Sequence, residues 1–174
     1  MNCVINLPKQ FSYEMEKKPI RRNENIVKLS KDHHASLLFC WKLRQGIKYH
    51  VSAGRLIKYI QYFWAHHFLV HFKEEEEFLF KPVKDEVVQK AIEDHQKIKN
   101  FIDQVGFSGT EKENALLELV ELVDHHVRYE ERILFPHLEE KLSGEQLETI
   151  RKQINNEPWI DNYEDHFWTK SSSS

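Results

Sequence analysis

Apolar positions along the chain recur at three- and four-residue steps, the period of an amphipathic helix, and no hairpin dipeptide sits between alternating runs. Ser30 stands as an N-cap for a first helix to about Gln45, ended by Gly46, with Leu37, Leu38 and Trp41 as its apolar stripe. A second helix begins near Ser52 or Gly54 and runs to about Phe80, closed by Pro82; Ile60, Phe63, Trp64 and Phe78 mark its inner face. The third opens near Asp85, carries Val88, Ala91, Ile92, Ile98 and Ile102 on one side, and stops at Gly106 and Gly109. Thr110 and Glu113 have capping-box spacing for a fourth, whose inner face is Leu116, Leu119, Val123, Ile133 and Leu134 and which Pro136 follows. Ser143 and Gln146 repeat that spacing before a short fifth helix reaching about Ile154.

Short connections between long helices make neighbours antiparallel. The expected fold is therefore all-α: an up-down-up-down four-helix bundle over 30–136. An N-terminal arm (1–29) precedes it, and a C-terminal extension (137–174) follows, with the short helix and a disordered serine tail. The aromatic stretch Trp159 to Trp168 is expected to pack across the bundle or in a dimer, so monomer and homodimer both remain open.

Composition narrows the function classes. A net charge of -3 provides no basic footprint for nucleic acid. The most apolar segment, Tyr59 to Phe72, is interrupted by Gln61, His66, His67 and His71 and is no membrane span. The first residues lack a signal-peptide pattern, and Cys3 and Cys40 form no secreted framework, so a reducing cytoplasmic setting is expected. The chain carries 11 histidines, far more than its length would ordinarily supply, which directs attention to metal chemistry.

Two stretches repeat. His71 precedes Glu75 by four residues and a Leu-Phe pair follows eight and nine positions after it; His126, Glu130, Leu134 and Phe135 repeat this spacing. Residues four apart share a helix face, so each copy aims an imidazole and a carboxylate at one point. One such pair alone is ordinarily a solvated surface pair; here other helices agree. Phase with the apolar stripes selects His34 over His33, His71 over His66, His95, and His126 over His125 as inward-facing. Counted from the helix ends, the groups on the second, third and fourth helices fall at one level, roughly 14 Å along the axis. Of the acidic run Glu74 to Glu77, only Glu75 is in register with the inner face; the run otherwise reads as solvated.

Four imidazoles and two carboxylates suit iron or manganese and tolerate zinc. Six groups exceed what one tetrahedral zinc needs, whereas two metals sharing Glu75 and Glu130 use them all, with His34 and His71 on one and His95 and His126 on the other. Open positions would remain for a small ligand. Phe63, Trp64, Phe78 and Trp41 are expected to give the pocket apolar walls, which favour a small uncharged gas.

From Ser30-Lys31-Asp32-His33-His34 through His71 and Glu75, Glu93-Asp94-His95, and His126 and Glu130 to Leu134-Phe135-Pro136, the chain resembles the hemerythrin family, in particular small bacterial proteins of the HHE cation-binding type. The resemblance implies an oxo- or hydroxo-bridged pair of non-heme irons with those four histidines terminal and the two glutamates bridging. It implies binding of dioxygen or nitric oxide for sensing, storage or redox response, more than enzymatic turnover. The alternatives are defence against nitric oxide with iron-sulfur cluster repair, for which Cys3 is a poor substitute for the usual cysteine segment, and iron handling. Ferritin-like chemistry ranks last because its Glu-x-x-His spacing is absent. Oxygen carriers place a further histidine where this chain has Lys99; His67, and more weakly Glu74, are the candidates to complete the set or to line it from outside.

Overall fold

The computed structural model describes residues 21–105, 112–155 and 157–170. They form five helical rods, and no strand occurs among the described residues. The first rod is α1 (Val27–Lys48). The second, 53–80, runs through α2 (Ala53–Phe63), a π-helical turn π1 (Trp64–Phe68), α3 (Leu69–Glu74) and π2 (Glu75–Phe80). The third is α4 (Glu86–Val105). The fourth, 112–141, is α5 (Lys112–Tyr129), π3 (Glu130–Leu134) and α6 (Phe135–Lys141), and the short fifth is α7 (Gly144–Gln153).

Several helix ends differ from the expected ones. α1 begins three residues before Ser30, with Ile26 at the cap position and no side-chain cap. Gly46 lies inside α1, not at its end, and is a glycine for space: a Cβ there would stand 2.5 Å from Leu56 and 2.9 Å from Phe167. The left-handed residue of the following turn is His50, at φ 53°. Pro136 does not end the fourth rod; it falls in the first turn of α6, where a missing N–H costs little. Pro82 does lie just past the end of π2, and Ser143 caps α7 through the expected box with Gln146. The box at Thr110, the stops at Gly106 and Gly109, and the serine tail lie outside the described residues.

The core is two apolar clusters. One gathers Phe39, Leu43, Tyr59, Phe63, Ile98 and Leu119 with their neighbours; the other gathers Leu29, Leu79, Phe80, Ala91, Leu134 and Leu138. Along every long rod a histidine falls between the two: His33 between Leu29 and Phe39, His71 between Phe68 and Leu79, His95 between Ala91 and Ile98, His126 between Val123 and Leu134. A buried polar layer thus separates two dry ones.

The extension after α7 packs on the first cluster. Phe167 is buried in it, Trp159 lies against Phe63 and His67, and Asp161 accepts from Lys42 and Tyr59 at 2.6 and 2.7 Å. No helix among the described residues is long and apolar enough to cross a membrane.

Candidate metal centre

His71 lies near the end of one α-helical stretch and His126 near the end of another; in both copies the glutamate four residues on opens a π turn. π turns of this kind frequently mark functional sites because they reset the phase of the helix beyond them. α4 supplies His95 and α1 supplies His33. All six side chains are buried, with Glu75 and Glu130 at 0% exposure.

Their ligand atoms fall into two groups, His33, His71, Glu75 and Glu130 in one, and Glu75, His95, His126 and Glu130 in the other. Within each group the atoms lie within 4.8 Å of one another, and both carboxylates belong to both. His33 Nε2 is 3.0 Å from Glu130 Oε2, His71 Nε2 3.5 Å from Glu75 Oε1, His95 Nε2 3.4 Å from Glu75 Oε2, and His126 Nε2 3.3 Å from Glu130 Oε2. Close as they are, these contacts lack hydrogen-bond geometry: among the described residues, both oxygens of each glutamate, and Nε2 of His33, His95 and His126, are buried without a hydrogen-bond partner. Buried polar atoms are normally paired, and orphaning so many in one place is costly unless a cation meets them. The donor set, imidazole and carboxylate without thiolate, fits iron, manganese or zinc.

Burial lowers His33 and His95, but the carboxylates around them, Glu130 foremost, overcome it and hold both well above the ordinary histidine range. Burial depresses His71 well below that range and His126 to about 3. Glu75 is raised by burial and by the charge of Glu130 beside it. The carboxylates thus favour protons on His33 and His95, and a metal would compete with those protons.

The structure brings together His71, Glu75, His95, His126 and Glu130, but not His34. His34 is exposed, and His33 takes the inward place. The stripe Leu37, Leu38 and Trp41 is the wrong guide, since Leu38 is 39% and Trp41 46% exposed. Trp41 is therefore exposed, not the buried wall expected of it. Phe63 is buried against His67, Trp64 is half-buried against Phe72, and Phe78 is half-buried. The rings on the site are others: Phe72 stacks on His95 at 3.8 Å, Phe80 on His95 at 5.7 Å, and Phe135 on His33 at 5.2 Å.

His67 and Glu74 stand outside both donor groups. His67 is buried, lowered by that burial to about 4, with Nε2 3.4 Å from Ser36 Oγ and its ring stacked on His71. Glu74 accepts from the Asn155 amide at 2.8 Å. Lys99 is exposed and paired with Asp103. The acidic run is less solvated than expected, because Glu74 is buried and Glu76 reaches His95. A cavity of about 390 Å³ has Trp159, His67 and His71 in its wall.

Compared with protein families, residues 25–138 match the model described as hemerythrin HHE cation binding domain. Comparison with curated proteins and with solved structures returned no match.

Proposed function

Because the chain belongs to the hemerythrin HHE cation-binding family, we propose that it holds two non-heme irons and binds a small diatomic molecule, dioxygen or nitric oxide, for sensing, storage or redox response. His33 and His71 would hold one ion, His95 and His126 the other, with Glu75 and Glu130 between them. The observation that carries this reading is that the two donor groups share both carboxylates. Iron in such a site supplies reversible electron exchange and a coordination position for the diatomic ligand.

The chain's own residues do the rest. Phe72, Phe80 and Phe135 keep water from the imidazoles. The cavity at His71 is a route suited to a molecule of a few atoms. The long rods are read as an up-down-up-down four-helix bundle that keeps the six groups at one level, and the setting as cytoplasmic, where Cys40 stays a free thiol.

Metal analysis and absorption spectra of the purified full chain after iron loading test this. Two irons per chain and visible absorption that changes on exposure to oxygen are expected. A colourless protein holding a single zinc would refute it.

A further inference from the structure

In each repeat a second glutamate follows the pocket glutamate: Glu76 after Glu75, Glu131 after Glu130. Consecutive helical residues diverge by about 100°, so the second carboxylate turns from the pocket toward a neighbouring rod. Glu76 Oε1 lies 2.7 Å from Nδ1 of His95 on α4. Glu131 Oε1 lies 2.6 Å from Nδ1 of His33 on α1. A carboxylate only accepts, so each Nδ1 carries the hydrogen and donates it outward. Nε2 of the same rings faces the pocket glutamates. Among the described residues, Nδ1 of His71 lies 3.8 Å from Asp32, beyond hydrogen-bond distance, and Nδ1 of His126 has no hydrogen-bond partner. Each donor group therefore contains one histidine clamped by an outer carboxylate and one held by packing.

The two clamps differ in stiffness. Glu131 is itself gripped by Arg22, which donates to its Oε2 and to its backbone carbonyl, each at 2.7 Å. The Arg22 side chain is only 4% exposed and lies over the ring of Phe135, the ring that stacks on His33. Glu76 is 42% exposed.

We propose that Glu76 and Glu131 are positioning residues, each fixing the ring of the histidine across the groove so that Nε2 is presented to the metal. We further propose that Arg22, in the segment leading into α1, makes the His33 clamp the stiffer of the two. This rests on the two-metal reading above. Outer carboxylates of this kind set imidazole tautomer and orientation, and their loss typically weakens metal binding about 10–100-fold.

Zinc(II) is the probe, because it is diamagnetic and leaves the ring nitrogens readable by NMR. The full-length wild type and the variants E76A, E76Q, E131A and R22Q are titrated with zinc against a competing chelator. Both alanine variants should bind about 10–100-fold more weakly. The loss of a slowly exchanging Nδ1–H should be confined to His95 in E76A and to His33 in E131A. E76Q keeps an acceptor and should recover most of the affinity, while R22Q should fall between wild type and E131A. Alanine variants that bind like wild type with unchanged ring nitrogens would overturn the proposal, as would E76Q binding no better than E76A. Because Glu76 is half-exposed, the test survives even if E131A fails to fold. A wild type that takes up fewer than two zinc ions would instead overturn the two-metal reading.

Discussion

Alanine at His33, set beside alanine at His34, tests the placement of the whole centre. His33 is 2% exposed, with Nε2 3.5 Å from Glu75 Oε1 and 3.0 Å from Glu130 Oε2. Without metal its imidazolium offsets two buried carboxylates. Removing one member of a buried ion pair costs about 3–5 kcal/mol. Glu75, raised by burial and by Glu130, relieves part of that cost and sets it near the low end, about 3 kcal/mol. At about 2–4 °C per kcal/mol for a chain of this size, chelator-treated H33A should melt about 6–12 °C below wild type at pH 6. The sign of the pH dependence follows from the raised pKa of His33. Its contribution is complete below the unfolded value of about 6.5 and is lost as pH rises through the folded one, so the gap narrows toward alkaline pH. His34 is exposed, and H34A should stay within about 0.5 kcal/mol of wild type. Calorimetric melts at several pH values, with iron counts after reconstitution, read the difference. Equal shifts, a larger effect at His34, or a gap that widens with pH would refute the reasoning.

Metal affinity should fall as pH falls, since His33 and His95 are held protonated by the carboxylates and must release their Nε2 protons on loading. A chelator titration from pH 8 to pH 5, with proton release followed by a dye, checks it. Gly46→Ala should cost about 1–3 kcal/mol, because its Cβ would meet Leu56 at 2.5 Å and Phe167 at 2.9 Å; a denaturation midpoint unchanged from wild type would contradict the close packing of α1. Phe72→Ala should cost about 3–5 kcal/mol in urea unfolding, since the ring is 6% exposed and lies against His95, His126 and Phe68.

How far the centre was legible in the sequence depended on how regular each helix is. α4 is an unbroken α-helix, and there the phase reading put His95 inward with Val88, Ala91, Ile92, Ile98 and Ile102, all of them buried except the half-buried Ile92. α1 misled because its apolar contrast is poor: Leu38 and Trp41 are exposed, while Asp32, Ser36, Lys42 and Gly46 are buried. The usable signal was the chain Leu29, His33, Ser36, Cys40, Leu43, spaced by four, three, four and three residues, small or polar members included. Hydropathy discards such a stripe, because a residue is buried there for the site's chemistry or for close helix approach.

The second and fourth rods failed in a different and more informative way. Phase on a straight helix pairs His71 with Phe78 and His126 with Ile133, seven residues on. Phe78 is only half-buried and Ile133 is 51% exposed; Leu79 and Leu134, eight residues on, are the buried ones. The π turns opening at Glu75 and Glu130 insert one residue and delay the inner face by one position. The repeated Leu-Phe pairs carried this information. Nine residues beyond a histidine, an α-helix would point the phenylalanine about 180° away from it. Yet Phe80 and Phe135 are 1% and 0% exposed, and their rings close over His95 and His33. A duplicated apolar pair at a spacing that a regular helix would split across two faces is itself evidence for a π turn. Glu76 and Glu131, the second residues of π2 and π3, are the ones that reach the histidines of the neighbouring rods. The helix irregularity and the clamped imidazoles therefore stand together: straightening π2 or π3 would bury the wrong side chains and release the rings that the pocket needs held.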